Sequence, residues 1–263
     1  MAPRIYLLSR PAFDVDAFLS FLNGENLTWR RTPRVTEAEE IVEVSGRICY
    51  MSYGPNQSPR DNSQYIQNLI RMGHESVLEH VAWTFLITGV SRAFTHQLVR
   101  HRVGFAFSQL SQQYHDETDA SFVTPPQLDA FPAALEAWNQ AMDAATHAYK
   151  EIMSSLQQNN SAISSGLDTK ETQRAIRSAA RSVLPNATET KIIVTANARA
   201  ARHFLKMRGS IAGDVEMRQV TAALLQTLKP EAPSLFFDFE IETLSDSSPA
   251  VVHVPQSKLP QAS

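Results

Sequence analysis

Residues 100–114, RHRVGFAFSQLSQQY, contain the densest cluster of polar side chains in the sequence. Two arginines flank a histidine at the start, and residues 107–114 carry two serines and three glutamines. Hydroxyl and amide groups can together make several hydrogen bonds to one polar ligand, and the planar fork of an arginine bonds two oxygens of a phosphate. The alternative is structural, because Arg100 and Arg102 could complement the negative end of a helix that precedes them.

The segments around this run predict helices and strands in irregular order. Upstream we expect a short buried strand over residues 5–8, a helix from the capping box of Thr36 and Glu39 to about Tyr50, a helix over 62–72, a strand over 81–88 and a helix from Ser91 to about Arg102. Downstream we expect helices over 131–158, 168–184, 196–207 and 214–228, and strands over 191–195 and 236–243. The pattern indicates an α+β protein without a clear domain boundary, ending in a loose polar tail over residues 245–263.

Composition excludes several classes of protein. The chain has 263 residues, 43% hydrophobic and 19% charged, which is ordinary for a soluble globular domain. Its net charge of −3 gives no general attraction to RNA or DNA, and no apolar run is long enough to span a membrane. The single cysteine, Cys49, is compatible with a reducing cytoplasm, and its apolar-periodic surroundings predict a buried structural thiol.

Two further groups of cations lie later in the sequence. Arg174, Arg177 and Arg181 have helical spacing and share one face, which predicts either a ligand-binding or a solvated surface. A second group contains Asn197, Arg199, Arg202, His203 and Arg208. The histidine spacings do not predict a metal site, and the glycine motifs of Rossmann and P-loop proteins are missing, so a dinucleotide would have to bind in another way.

Four motifs in order resemble those of the flavin-dependent thymidylate synthases. Arg100-His101-Arg102 followed by Ser111 is similar to the family signature, and residues 73–80 (GHESVLEH) resemble a second family segment. Residues 181–185 (RSVLP) resemble a helix end of the family, and the Asn197, Arg199 and Arg208 positions match its late helix. The resemblance spans about residues 35–243 and implies a single-domain α+β fold over residues 1–244, with a mixed sheet and packed helices.

The resemblance implies an enzyme that methylates carbon 5 of dUMP to give dTMP, using FAD, NADPH and 5,10-methylenetetrahydrofolate. It implies a homotetramer whose active sites draw on several subunits, while composition and histidine spacing predict a cytoplasmic protein with no metal, nucleic acid or membrane partner. The implied flavin site consists of His74, Ser76, Glu79, Arg100, His101, Arg102, Asn197, Arg199 and His203. The implied nucleotide site consists of Gln97, Arg100, Gln109, Ser111, Gln112, Gln113, Arg181 and Arg208. Arg208 and Ser111 are the implied catalytic residues, with Arg208 against the uracil and Ser111 as a nucleotide ligand rather than a nucleophile.

The sequence departs from the family pattern at two positions. Gln113 stands where the signature usually has an arginine, and Ala212 stands where the late motif usually has a histidine. The alternatives are therefore a methylase of UMP, or of both UMP and dUMP, in nucleoside-antibiotic biosynthesis, and a non-catalytic homologue that binds flavin or nucleotide. The net charge and the lack of interleaved exposed aromatic residues argue against an RNA-binding protein.

Overall fold

The computed structural model describes residues 2–159 and 161–254. These residues form six strands and nine α-helices, and short 3-10 turns connect several of them. The strands are β1 (Arg4–Ser9), β2 (Ala82–Ser91), β3 (Phe105–Gln109), β4 (Glu189–Asn197), β5 (Phe239–Thr243) and β6 (Pro249–His253). The helices are α1 (Val15–Gly24), α2 (Glu37–Ile48), α3 (Asn62–Arg71), α4 (Arg92–Leu98), α5 (Pro132–Gln158), α6 (Ser161–Ser164), α7 (Thr169–Ala180), α8 (Ala198–Arg208) and α9 (Val215–Glu231).

Two sheets accompany the helices, which confirms the predicted α+β class. The larger sheet has the strand order β1-β2-β4-β3, and β5 pairs with β6 in a separate antiparallel sheet. None of the helices in the described ranges is both long and apolar enough to cross a membrane.

The described residues divide into two compact units. The first unit contains the residues up to Arg4, Ile87–Arg100 and Ser108–Ile193, and the second contains Ile5–Leu86, His101–Phe107 and the chain from Val194. Each unit is discontinuous in sequence, so no single cut in the chain separates them. The single domain over residues 1–244 stays a prediction.

Each unit has its own core. In the first unit, Tyr149 and Met153 of α5 pack against Ile176 and Ala180 of α7. The second unit buries a charged pair, because Arg202 of α8 makes hydrogen bonds of 2.6 and 2.7 Å to Asp238. Burial alone would raise the pKa of Asp238, but the hydrogen bonds and charge of Arg202, together with His253, hold that pKa below its usual value.

Local capping signals set several helix starts as the sequence predicts. Thr36 and Glu39 form the expected capping box of α2, and Ser91 accepts a hydrogen bond from the Phe94 amide at the start of α4. Helix α4 ends at Leu98, however, so the prediction that it extends to about Arg102 is wrong. Arg100 lies in the turn that follows and does not complete the last turn of the helix.

Two predictions about burial are also wrong. Cys49 is exposed, and its thiol donates only to the Ser45 carbonyl at 3.3 Å. Strand β1 is not buried either, because Tyr6 and Leu8 are 45% and 53% exposed. Both errors have one cause: an apolar pattern indicates which side chains share a face, and does not say how completely that face is covered.

The C-terminal region is more ordered than predicted. Residues 249–253, which fall in the predicted loose tail, form β6 and pair with β5 from Phe239 opposite His253 to Thr243 opposite Pro249. The Val251 amide also donates to the Gly209 carbonyl at 2.8 Å, directly after α8. A Cβ at position 209 would lie 2.6 Å from Val251, so only glycine allows this approach. The remaining residues of the predicted tail, 255–263, lie outside the described residues.

Candidate functional site

A cleft of about 350 Å³ in the second unit contains several of the predicted flavin-binding residues. Its volume lies in the usual range for small-molecule sites. Apolar walls from Leu69 and Val77 face polar groups from His74, Ser76 and Arg199. The exposed Cys49 also lines it.

Arg199 is held beside this cleft by two carboxylates. Its Nη1 lies 2.5 Å from Glu79 Oε1, and its Nε lies 3.8 Å from Glu75 Oε2. The side chains of Arg199 and Glu79 are 49% and 44% exposed, so this pair contributes little to stability. Its effect is to fix the position of the guanidinium at the first turn of α8.

A second cluster in the same unit surrounds the other end of α8. Arg208 Nε donates to His101 Nε2 over 3.2 Å, so His101 must be neutral at that nitrogen. Burial lowers the pKa of His101, and the positive charges of Arg208 and His203 lower it further. The His101 ring also lies edge-on to Phe204, with 5.0 Å between ring centroids. These contacts hold the Arg208 guanidinium next to a neutral imidazole.

Asn197 connects this cluster to the start of α8. Its Oδ1 accepts from the Ala200 amide at 2.8 Å, so Asn197 is the N-cap of the helix. Gly104 has a φ of +75°, and a Cβ there would lie 2.7 Å from Asn197 Nδ2. The turn after Arg102 therefore requires glycine, and it sets the path of the chain between His101 and β3. Arg102 itself is exposed.

The polar run of the signature folds into a turn in the first unit. The Ser111 carbonyl accepts from the amides of Tyr114 and His115, and Ser111 Oγ accepts from the Gln113 amide at 3.3 Å. Gln113 Nε2 lies 3.4 Å from Ser178 Oγ, one helical turn before Arg181. The structure therefore brings the side chain of Gln113 to the end of α7 that leads into Arg181.

Three buried nitrogens of the first unit lack a hydrogen-bond partner among the described residues. They are Arg92 Nη1, Gln112 Nε2 and Arg177 Nε. A buried donor without a partner costs about 1 to 3 kcal/mol, so such a group indicates a missing ligand or water. Burial lowers the pKa of Arg92; the charge of Glu117 partly opposes this, and the like charge of Arg181 lowers it further. Arg92 and Arg181 are thus two neighbouring cations that a bound anion would stabilise.

Arg92 was missed by the sequence reasoning, although the sequence does contain a signal. It is the first residue of α4, directly after the cap Ser91. A cation is electrostatically unfavourable at the positive end of a helix, so an arginine at this position needs another explanation.

Other predicted cations are engaged within the protein. Arg174 pairs with Glu171 at 2.6 Å, and Arg177 Nη1 donates to the Tyr114 carbonyl at 3.0 Å. Arg202 is buried with Asp238, so it has a structural role. Of the predicted arginine face, Arg174 and Arg177 therefore bond other groups of the protein, whereas Arg181 acts on Arg92. The neighbouring cations Arg92 and Arg181 are called the anion cluster below.

The predicted site residues fall into two sets. The first unit contains Gln97, Arg100, Gln109, Ser111, Gln112, Gln113 and Arg181. The second unit contains His74, Ser76, Glu79, His101, Arg102, Asn197, Arg199, His203 and Arg208. The first unit also holds Arg92, on which the charge of Arg181 acts, and the second holds the cleft with polar and apolar walls.

Comparison with known proteins identifies the family. The family model described as "Thymidylate synthase complementing protein" matches residues 33–234. A flavin-dependent thymidylate synthase from Mycobacteroides abscessus is 44% identical over 213 residues, which cover 81% of this chain and 84% of the relative. Those from Mycolicibacterium gilvum and Corynebacterium diphtheriae are 46% and 39% identical, covering 79% and 87% of this chain and 82% and 90% of the relatives. The chain therefore belongs to the flavin-dependent thymidylate synthase family.

Proposed function

We propose that this chain transfers a one-carbon unit from 5,10-methylenetetrahydrofolate to carbon 5 of dUMP and reduces it to the methyl group of dTMP. FAD, when bound and reduced by NADPH, supplies the hydride. The observation that carries the proposal is the set of buried, unpartnered donors in the first unit, Arg92 Nη1 among them. Such a set is suited to the phosphate and polar edge of a nucleotide.

The anion cluster supplies phosphate binding. The like charge of Arg181 acts on Arg92, and burial adds to the cost of the Arg92 charge. A phosphate would offset both effects, because each guanidinium can bond two of its oxygens. Ser111 and Gln112 add a hydroxyl and an amide, which can bond the remaining oxygens of the nucleotide.

The cleft in the second unit fits part of a flavin. Its apolar walls suit an aromatic ring system, and His74, Ser76 and Arg199 can bond the polar edges of that ring or a diphosphate. Glu79 keeps Arg199 in place for this role.

Arg208 is the proposed electrostatic catalyst. His101 accepts its Nε hydrogen, which orients the guanidinium and leaves its other N–H groups for the ligand. A cation held in this way can stabilise the negative charge that develops on a uracil ring during attack at carbon 5. Protonation of His101 would remove that acceptor, and its lowered pKa keeps it neutral near pH 7.

The proposal includes a homotetramer in the cytoplasm. An exposed free thiol at Cys49 is in keeping with a reducing compartment.

The test combines a spectrum with turnover. The purified protein should be yellow and take up FAD, and it should release tritium from 5-tritiated dUMP when NADPH and methylenetetrahydrofolate are present. Arg92→Ala should weaken dUMP binding at least tenfold, because a hydrogen bond to a charged group contributes about 1.5 to 3 kcal/mol. Arg174→Ala, which removes a cation already paired with Glu171, is the matched control. A protein that binds FAD and dUMP without turnover would instead be the non-catalytic homologue.

A second substrate, UMP, is favoured by one observation. Gln113 reaches only Ser178 at the end of α7, whereas an arginine there would extend further and carry a charge. The shorter amide leaves room and can donate to or accept from a 2′-hydroxyl. Assay of UMP and dUMP under the same conditions tests this.

A further inference from the structure

The side chain of Gln109, at the end of β3, is held by two buried threonines of the first unit. Its Nε2 lies 3.1 Å from Thr95 Oγ1 and 3.3 Å from Thr190 Oγ1. Thr95 and Thr190 are only 0% and 1% exposed, whereas Gln109 is half-buried. Because an amide nitrogen carries two hydrogens, the threonines use both of them.

The hydrogen of Thr95 determines which way this amide faces. Thr95 Oγ1 donates to the Arg92 carbonyl at 3.1 Å. A hydroxyl has one hydrogen, so Thr95 can only accept a hydrogen bond from Gln109. If the amide were reversed, Gln109 Oε1 would face Thr95 Oγ1, whose hydrogen is already donated to the Arg92 carbonyl. Thr95 Oγ1 would then lose the hydrogen bond that it accepts from Gln109. Thr95 therefore fixes Nε2 inwards, Thr190 accepts its second hydrogen, and Oε1 is left to face a ligand.

We propose that Thr95 and Thr190 are positioning residues that present the carbonyl oxygen of Gln109 to the bound nucleotide, so that Gln109 recognises a hydrogen-bond donor. This inference rests on the proposed function, since it takes the ligand of the first unit to be a uracil nucleotide. The donors of dUMP are the uracil N3–H and the 3′-hydroxyl, whereas its carbonyl and ionised phosphate oxygens only accept. If the donor is N3–H, the same contact rejects a cytosine nucleotide, whose N3 carries no hydrogen.

The experiment measures equilibrium binding to the flavin-loaded protein with three ligands. They are dUMP, N3-methyl-dUMP, which lacks the ring donor, and 2′,3′-dideoxyuridine monophosphate, which lacks the 3′-hydroxyl. Wild-type protein should bind one analogue about tenfold or more weakly than dUMP, because Gln109 Oε1 is then left without a partner. Which analogue is penalised identifies the donor.

The variants test the role of the threonines. In Thr95→Val the Gln109 amide is free to turn. The ratio of the Kd of the penalised analogue to the Kd of dUMP should therefore fall by at least about threefold, and Thr190→Val should lower the same ratio. Thr95→Ser keeps the hydroxyl, so its ratio of the analogue Kd to the dUMP Kd should equal that of the wild-type protein. Because the methyl group of N3-methyl-dUMP is present in every comparison, its steric effect cancels in the ratio between proteins. Gln109→Met removes the acceptor itself, so it should remove the part of the penalty that comes from the lost hydrogen bond, even if a valine variant does not fold.

Each contrary outcome has a distinct meaning. The inference is wrong, and the proposed function stands, if wild-type protein binds both analogues with the same affinity as dUMP. It is also wrong if the preference for dUMP over the analogue is unchanged in both valine variants. If wild-type protein does not bind dUMP at all, the proposed function fails and the inference fails with it.

Discussion

Replacing Arg208 by alanine separates transition-state stabilisation from substrate binding. The side chain is half-buried, and its Nε is fixed 3.2 Å from His101 Nε2. A positioned electrostatic donor in such a site typically contributes about 3 to 4 kcal/mol to the transition state, so kcat should fall about 100-fold to 1000-fold. Because the interaction forms mainly as charge develops on the ring, kcat and kcat/KM should fall together.

The assay is steady-state tritium release from 5-tritiated dUMP, with flavin content checked by absorbance. Lys206→Ala is the matched control, because it removes an exposed cation from the same turn of α8 and should leave kcat within about twofold. An increase in KM alone for Arg208→Ala would refute the role given to this arginine. A loss of bound FAD would instead place Arg208 in the flavin site.

A second readout follows from the contact with His101. Burial is the largest cause of its lowered pKa, and the Arg208 charge is the next. The pKa of His101 should therefore rise in Arg208→Ala without reaching its usual value of about 6.5. As pH falls below about 6.5, the unfolded chain takes up this proton before the folded protein does, so wild-type stability should decline there. Carbon-13 histidine NMR and unfolding at several pH values measure the two effects.

Three further predictions concern other parts of the protein. Ser111→Ala should lose about 1.5 to 3 kcal/mol of nucleotide interaction yet keep measurable turnover; complete inactivity with intact FAD and dUMP binding would make Ser111 a nucleophile. The kcat/KM values for UMP and dUMP should lie within about tenfold, and Gln113→Arg should shift preference toward dUMP; a dUMP preference above about 1000-fold would reject this. Asp238→Ala should lower the free energy of unfolding by about 3 to 5 kcal/mol, because it leaves Arg202 buried without its partner. Glu171→Ala, at an exposed pair, should cost less than about 1 kcal/mol. Since the pKa of Asp238 is held low in the folded protein, the stabilisation that its carboxylate gives is fully present above its usual pKa. That stabilisation disappears as the pH falls through the lower pKa of the folded protein. Denaturant unfolding measures the free energy of unfolding of both variants.

The elements that the sequence predicts well are those with local signals. The caps at Thr36 and Ser91 each accept a hydrogen bond from a backbone amide at the start of a helix, as expected, and Asp168 and Asp214 do the same where two further helices were predicted to begin. A cap is a contact over three residues, so it can be recognised without knowing the fold. Asp14 caps helix α1 in the same way, so this helix, which the sequence prediction did not include, also has a local signal.

Elements that depend on distant pairing were missed. Strands β3 and β6 have five residues each, and their own sequences contain no turn or cap that marks them. The exposure of Cys49 and the buried nitrogen of Arg92 likewise depend on neighbours far away in sequence. The motifs pointed to most of the candidate site residues, but only the structure shows that the amide nitrogen of Gln109 lies against Thr95 and Thr190.

Strand β6 stabilises the end of the helix that carries Arg208. A protein shortened after Leu244 would lose the Val251 amide that bonds the Gly209 carbonyl, one residue beyond Arg208. It would also lose Asp246 and Ser248, which both accept hydrogen bonds from Nη2 of the buried Arg218. Such a truncation removes no residue of the candidate site, yet it frees the end of the helix that carries Arg208, the proposed electrostatic catalyst. Trimming the C-terminus to obtain a smaller enzyme would therefore reduce turnover as well as stability.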